Sequence, residues 1–163
     1  MGLDMYLYLE KEEYKSPYTT SPKDTDLTLE YPEVMKGVEK NLERIGVSQS
    51  VTRKTTYLAG YWRKANAIHQ WFVDNCADGE DDCRPMYCSL EQLQELLTKC
   101  IKIKMTPESA GEELPTQEGF FFGSTDYGEW YYKQIDATIS ILENVIAVME
   151  SDDNVRAVYE ASW

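Results

Sequence analysis

The sequence predicts an α+β fold, with a small antiparallel sheet of about three or four strands packed against three or four helices. Period-2 alternation of apolar residues marks the N-terminus, and apolar stripes at helical spacing follow later in the chain. Segments of the two kinds are interspersed without internal repeats or regular βαβ alternation, which favours helices on one face of an antiparallel sheet. The 163 residues, 42% of them hydrophobic, are enough for one domain spanning residues 1–163.

The first part of the chain predicts two strands and a short helix. The first strand carries alternating apolar residues, namely Leu3, Met5, Leu7 and Leu9. Residues 11–32, with two Ser-Pro pairs and mixed charges, are typical of a surface loop. An amphipathic helix follows, with Val34, Val38, Leu42 and Ile45 on one face and Gly46 as its end. Residues 50–59 are rich in Thr, Val and Tyr and predict the second strand.

Three helices and two short strands are predicted in the remainder. The first helix has a buried stripe of Tyr61, Ala65, Ile68, Phe72 and Cys76 and an outer face of Arg63, Ala67, Gln70 and Asp74. Ser89 and Gln92 form a capping box that opens the second helix. A Gly- and Pro-marked loop at 106–119 leads to a strand at 120–122, a long helix follows over about 128–150, and a last strand is expected over 156–163.

The charge balance limits the classes of partner. Sixteen Lys and Arg residues against 29 Asp and Glu residues give a net charge of −13. A surface of this charge repels DNA, RNA and anionic membranes, so direct nucleic-acid binding is not expected. It favours solubility, a cationic partner or imitation of a polyanion. The N-terminus lacks the basic region of a signal peptide, and no apolar stretch approaches the roughly 20 residues of a membrane span. We therefore expect a cytoplasmic protein.

The four cysteines do not predict a metal site or a cofactor. Cys76, Cys83, Cys88 and Cys100 are spaced by 6, 4 and 11 residues, which matches neither a zinc knuckle nor a CxxC dithiol. Three of them lie in or beside one loop, so a disulfide could form on oxidation. In a reducing cytosol free thiols are the expected state.

The first candidate for a binding site is a basic segment. Residues 51–75 contain Arg53, Lys54, Arg63 and Lys64 but a single acid, Asp74. On a helical wheel Trp62, Asn66 and His69 share a flank, which would offer one ligand a stacking surface, an amide and an imidazole. The alternative is that Trp62 belongs to the rim of the core, His69 is a satisfied polar residue and the basic side chains pair with nearby carboxylates.

The second candidate is the aromatic segment 114–132. It combines turn residues, free hydroxyls and aromatic rings, and the side chains expected to contact a ligand are Thr116, Gln117, Phe122, Ser124, Thr125 and Tyr127. Ser124 or Thr125 is expected to cap the long helix, where free backbone N–H groups could hold an anion. The alternative is an ordinary strand, cap and helix start with aromatic core residues.

Catalytic motifs are absent from the sequence. There is no Gly-rich phosphate loop, GxGxxG or GxSxG pattern. A hydrolase would have to combine His69, the one histidine, with Ser124 or a cysteine, and no spacing supports that pairing. A small enzyme that uses His69 is therefore ranked behind two non-enzymatic functions, and no catalytic residue is assigned.

Three stretches carry a resemblance to a known family. The opening MGLDMYLY at 1–8, YWRKANAIHQWF at 61–72 and GFFFGSTDY at 119–127 resemble a family of small, functionally uncharacterised bacteriophage proteins. The resemblance covers most of residues 1–148. It implies a viral protein active in the host cell, in host takeover or in counter-defence, and it implies no particular activity.

Two functions remain as expectations from the sequence. In the first, the basic segment and the aromatic segment converge on one pocket for an anionic small molecule such as a nucleotide. In the second, the acidic exterior docks on the basic nucleic-acid groove of a host defence protein and inhibits it. The first is preferred, because a polyanion mimic gains nothing from basic residues beside aromatic rings.

Overall fold

The chain folds as an α+β protein in a computed structural model that describes residues 2–15, 31–46 and 51–163. Its four strands are β1 (Asp4–Lys15), β2 (Val51–Arg63), β3 (Met86–Cys88) and β4 (Val155–Ser162). Its five described α-helices are α1 (Pro32–Arg44), α2 (Asn66–Cys76), α3 (Leu90–Met105), α4 (Ala110–Glu113) and α5 (Glu129–Ser151). A 3-10 turn at Pro107–Ser109 precedes α4.

The strands form one sheet in the order β2-β1-β4-β3. The central strand β4 runs antiparallel to both neighbours, and Tyr159 lies opposite Leu7 of β1 and Met86 of β3. Alternation along β1 buries Leu3, Met5 and Leu7 completely. The predicted first strand is therefore confirmed, and it extends to residue 15.

The core lies between one face of this sheet and the helices α2 to α5. Helix α5 supplies a buried stripe of Ile135, Ile139, Leu142 and Ile146, and it packs along α3. Helix α3 contributes Leu93, Leu96, Cys100 and Ile103. Each stripe recurs at intervals of three or four residues, so burial of one face against the sheet explains both helices.

The chain groups into two compact units. One comprises residues 1–11 and 56–163 and contains α2 to α5 with most of the sheet. The other comprises residues 12–55 and contains α1 with the outer ends of β1 and β2. Helix α1 ends before Gly46, whose φ of +72° is the left-handed conformation expected at a helix C-terminus. Residues 16–30, most of the predicted surface loop, lie outside the described residues.

The predicted helix beginning near Tyr61 is wrong at its start. Residues 51–63 form β2, in which Tyr61 points outward with 47% of its surface exposed. The strand ends at Arg63, and Lys64, with a φ of +56°, turns the chain into α2. Ala67, expected on the outer face, is buried. The Thr- and Tyr-rich stretch from 55 to 62 favours a strand, and the helical spacing across this boundary was coincidental.

The predicted strand at 120–122 is also wrong. The amide of Phe122 donates to the carbonyl of Gly119 at 3.1 Å, which closes a turn, and Phe120 at its tip is 96% exposed. The sequence analysis missed β3, which has only three residues. The long helix, the last strand and the Ser89–Gln92 capping box are confirmed.

Candidate functional site

The main candidate site is a cavity of about 210 Å³ between the N-terminal turns of α2 and α5, hereafter the α2–α5 cavity. Residues 65–68 of the α2 start form one wall, and Gly128 to Tyr131 with Gln134 and Ile135 form the opposite wall. Thr116, Ser124 and Asp126 close a third side, and Lys64 completes the lining. All of these residues belong to the unit that comprises residues 1–11 and 56–163.

Two helix N-termini without side-chain caps meet at this cavity. The N-cap of α2 is Ala65 and that of α5 is Gly128, and neither residue has a side chain that can accept a hydrogen bond. The first backbone N–H groups of a helix have no partner within the helix, and the helix dipole places partial positive charge there. The expected cap of α5 by Ser124 or Thr125 is wrong. Instead, the Ser124 hydroxyl donates to Asp126 Oδ2 and accepts from its amide.

Lys64 supplies the cationic side chain of the cavity. Its backbone is left-handed, with φ +56°, and its amide donates to the carbonyl of Leu3 at 2.8 Å. Two glycines border its aliphatic stem. A Cβ at Gly2 would lie 3.1 Å from Lys64 Cε, and one at Gly123 would lie 3.1 Å from Lys64 Cβ. No carboxylate in the described part of the chain forms an ion pair with its ammonium group.

Asn66 holds the loop that covers the cavity. Its side-chain amide donates to the carbonyls of Phe122 at 3.1 Å and Ser124 at 3.0 Å. Its carbonyl oxygen accepts from the amide of Gln117 at 3.1 Å. The side chain is 3% exposed, so its hydrogen bonds join the start of α2 to residues 117–124. Asn66 therefore positions the loop, whereas the sequence predicted that it would bind the ligand.

The walls of the cavity are apolar and aromatic. Ala65, Ala67, Ile68 and Ile135 are buried, while Trp130 lines the cavity and remains 57% exposed. The hydroxyl of Tyr131 donates to the carbonyl of Leu114 at 2.8 Å, and burial raises the pKa of this tyrosine well above its usual value. A flat apolar ring would lie against these walls, with Trp130 as a stacking surface.

Carboxylates also border the cavity. Asp126 accepts a hydrogen bond from Ser124 Oγ at 2.8 Å, and Glu129 pairs with Lys133 at 2.7 Å one helical turn away. Glu129 and Gln134 belong to the α5 wall, whereas Asp126 belongs to the third side with Thr116 and Ser124. The cavity thus offers hydrogen-bond acceptors as well as positive charge, which suits a ligand with both an anionic group and polar N–H or O–H donors.

Trp62 and His69 lie outside the cavity, contrary to expectation. Trp62 is 1% exposed on β2, and its indole N–H donates to Thr138 at 2.9 Å. His69 is completely buried. Its Nδ1 lies 2.8 Å from the hydroxyl of Tyr159 and its Nε2 lies 3.1 Å from Asp81 Oδ2. The helical wheel placed Trp62 and His69 together because it extended α2 by about one turn at its N-terminus, into residues that belong to β2.

The other expected residues are distributed around the site. Lys64, Asn66, Thr116 and Ser124 line the α2–α5 cavity, while Arg63 lies on β2, where its Nε is 3.8 Å from Asp4. Phe122 forms a T-shaped contact with the ring of His69, with 5.2 Å between the ring centroids. Thr125 accepts from Thr116 through its carbonyl, and the Tyr127 hydroxyl accepts from the Thr116 amide. Gln117 lines a separate polar cavity beside Trp71.

Sequence reasoning did not select Trp130, Gln134 or the start of α5. Trp130 lies in the aromatic segment 114–132, so the high density of aromatic residues there could have identified it as a candidate. The two helix starts converge because of the way α2 and α5 pack, and no local sequence pattern predicts this. Among the described residues no three His, Cys, Asp or Glu side chains are grouped so as to hold a metal ion.

Comparison with protein-family models, with curated proteins and with solved structures finds no match to this chain. No helix in the described ranges has the length and apolar character needed to cross a bilayer.

Proposed function

We propose that this chain binds a small anionic molecule with a flat ring, of about the size of a nucleoside monophosphate, in the α2–α5 cavity. The observation that carries the proposal is that Lys64, which has no carboxylate partner among the described residues, lines the same cavity as two uncapped helix N-termini. A cation and free N–H groups at one point stabilise an anion such as a phosphate.

The strained backbone of Lys64 supports this role. A non-glycine residue in the left-handed region costs on the order of 1–3 kcal/mol and is enriched at functional sites. Glycine would adopt this φ without strain, so the lysine side chain is retained at an energetic cost. A Cβ at Gly2 or Gly123 would crowd the stem of Lys64, so the two glycines leave room for it.

The ring of the ligand is assigned to the apolar wall. Trp130 offers a half-exposed indole at the cavity, and Ala67, Ile68 and Ile135 form the floor. Asp126 and Gln134 lie where hydroxyl or amino groups of the ligand would bond. The volume of about 210 Å³ is below the roughly 300–1,000 Å³ of drug-sized pockets, which favours one nucleotide over a dinucleotide.

The proposal assigns no chemical step to the cavity. His69 is sealed away from it, and the polar groups at the cavity suit binding. A role in host takeover or counter-defence, implied by the resemblance to phage proteins, fits a binding protein that sequesters or senses a small molecule.

Isothermal titration with a panel of nucleoside monophosphates, cyclic dinucleotides and ADP-ribose tests the proposal. We expect the monophosphates to bind, and the variant Lys64→Gly to lose about 1.5–3 kcal/mol of binding free energy, a decrease of roughly 10- to 150-fold in affinity. Lys104→Gln, which removes a cation that pairs with Asp136 away from the cavity lining, is the matched control and should bind normally.

Absence of binding across the whole panel would contradict the proposal. The acidic protein would then be tested as an inhibitor that docks on a basic nucleic-acid-binding surface, for which the net charge of −13 is the supporting observation.

A further inference from the structure

The outer face of the sheet, which points away from α2 to α5, carries several tyrosine side chains. The core takes the alternate apolar residues of β1, so the residues between them point outward. Tyr6 and Tyr8 are among these outward residues, and their rings stack with centroids 6.1 Å apart. Tyr61 of β2 lies beside Tyr6, with 5.3 Å between ring centroids, and Tyr87 of β3 is 55% exposed. These tyrosines, hereafter the tyrosine face, all belong to the unit that comprises residues 1–11 and 56–163.

Val158 joins the tyrosines into one patch across the sheet. On β4 it lies opposite Tyr8 on one side and Tyr87 on the other. Side chains directly opposite each other in an antiparallel pair share a face of the sheet. Val158 is 1% exposed although it is not part of the core formed with the helices, so its burial comes from neighbours on the outer face. The tyrosine face therefore has an apolar centre flanked by aromatic rings.

Two arginines of the chain already lie on this face, each beside an aromatic ring or a carboxylate. The guanidinium carbon of Arg156 lies over the ring of Tyr87, 5.7 Å from its centroid. The Nε of Arg63 lies 3.8 Å from Asp4, and the same carboxylate accepts a hydrogen bond from the Tyr61 hydroxyl. A guanidinium group suits such surroundings because it stacks on aromatic rings and donates several N–H groups to a carboxylate.

Glu160 provides a third carboxylate–tyrosine pairing on this face, but without an arginine. It lies opposite Tyr6 in the register of β1 and β4. Burial and then the negative charge of Glu160 raise the pKa of Tyr8, so the carboxylate is also close to that ring. In the part of the chain that the structure describes, no Lys, Arg or His forms an ion pair with Glu160. The surroundings of Glu160 therefore match those of the two arginines, with the cation still to be supplied.

We propose that the tyrosine face binds a basic segment of a partner protein, and that an arginine of this segment lies between Glu160 and the rings of Tyr6 and Tyr8. The guanidinium donates to the Glu160 carboxylate and stacks on one of the rings. This arrangement reproduces the surroundings of Arg63 and Arg156 with an arginine from outside the chain. None of these residues lines the α2–α5 cavity, so the inference does not depend on the proposed ligand.

The charge of the molecule favours a basic protein segment over other occupants of this face. A net charge of −13 attracts a cationic partner, whereas it repels a second copy of the chain. Nucleic-acid bases could stack on the same rings, but the carboxylate of Glu160 would repel the adjacent phosphates. Tyrosine is also enriched where proteins bind one another, because its ring is apolar and its hydroxyl forms hydrogen bonds.

The test is a titration of ¹⁵N-labelled protein with a short amidated peptide of alternating glycine and arginine, followed by ¹H–¹⁵N correlation spectra. We expect saturable shifts of the amides of Tyr6, Tyr8 and Glu160. The analogous peptide of glycine and lysine should bind more weakly, because an ammonium group lacks the planar surface that stacks on a ring.

Variants separate this site from the general attraction between opposite charges. Glu160→Gln should lower the affinity for the arginine peptide roughly 10-fold, through loss of a charge-assisted hydrogen bond. Tyr8→Leu, which keeps an apolar side chain opposite Val158, should lower it by roughly 2- to 5-fold through loss of the cation–π contact. Glu143→Gln removes the same charge from an exposed position on α5 and is the matched control, with an unchanged affinity expected.

Three results would overturn the proposal. The first is no saturable binding, or shifts confined to residues outside the tyrosine face. The second is an equal loss of affinity in Glu143→Gln and Glu160→Gln, because the peptide would then respond only to net charge. The third is a dimer of the free protein in analytical ultracentrifugation that Glu160→Gln dissociates, because the face would then bind a second copy of the chain.

Discussion

At Lys64 a single residue combines backbone strain with a side chain on which the proposed binding depends. Its φ of +56° marks the point where β2 ends and α2 begins. Basic residues in segment 51–75 were visible in the sequence, and so was their proximity to aromatic residues. The left-handed backbone was not visible in the sequence, because lysine has no preference for this conformation and no local pattern predicts it.

Replacement of Lys64 by glycine should separate stability from binding. The variant Lys64→Gly relieves the strain, so we expect its free energy of unfolding to be unchanged or about 0.5–1 kcal/mol higher than that of the wild type. Lys64→Ala is the matched control, since it removes the same charge but keeps the Cβ. Urea denaturation measures both variants, and equal stability of the two would argue against backbone strain at this position.

Asn66 should be more important for the covering loop than for the ligand itself. Asn66→Ala removes three hydrogen bonds and leaves backbone groups of residues 117, 122 and 124 without their partner. We expect destabilisation of about 2–4 kcal/mol, from one or more unsatisfied groups at about 1–3 kcal/mol each. Hydrogen exchange should quicken at residues 117–124. Unchanged exchange in that loop would contradict the assigned role.

Tyr159 should make stability sensitive to alkaline pH. Burial and the nearby carboxylate of Asp81 raise the pKa of its hydroxyl well above the usual value of 10.0. The unfolded chain therefore releases this proton at a lower pH than the folded chain. The contribution of the Tyr159 hydroxyl to the free energy of unfolding is constant below about pH 10 and is lost as the pH rises above it.

Urea denaturation between pH 8 and pH 11 measures this dependence. Tyr159→Phe should show a shallower decline above pH 10, although it is less stable at pH 8 because His69 loses a partner. An equally steep decline in the variant would assign the effect to other tyrosines.

At the level of elements, strong periodicity predicted the long helices well, whereas the short segments were predicted poorly. The stripe of Ile135, Ile139, Leu142 and Ile146 located α5 to within about a residue at each end. The boundary between β2 and α2 was misplaced, because residues 61–65 satisfy a helical stripe while their composition favours a strand. The strand β3 depends on its pairing with β4, so its three residues carry no periodic signal of their own.

Helix α5 should be the element whose core contacts are most costly to remove. Leu142 is completely buried between α3 and the sheet, so Leu142→Ala should lower the free energy of unfolding by on the order of 2–5 kcal/mol. The adjacent Glu143→Ala is exposed and should change it by less than about 0.5 kcal/mol. Thermal and urea denaturation compare the two, and a neutral Leu142→Ala would contradict the packing of this helix.

At the level of the whole molecule, the α2–α5 cavity combines Lys64 with two helix N-termini in a chain of net charge −13. A field of this sign disfavours anions in general, so the binding of an anion requires local donors that outweigh it. The sequence predicted that basic and aromatic segments would supply them, and the cavity contains residues of both. The sequence could not predict which residues line the cavity, because the two helix starts meet only through the packing of α2 on α5.

The most direct test of the α2–α5 cavity as the binding site is a titration followed by amide resonances. Adenosine monophosphate is added to ¹⁵N-labelled protein, and ¹H–¹⁵N correlation spectra are recorded. Our account predicts that the largest shifts belong to the amides of residues 65–68 and 128–131, where the N–H groups of both helix starts meet the phosphate. Saturable shifts confined to residues outside the cavity lining, with these two groups unmoved, would contradict it.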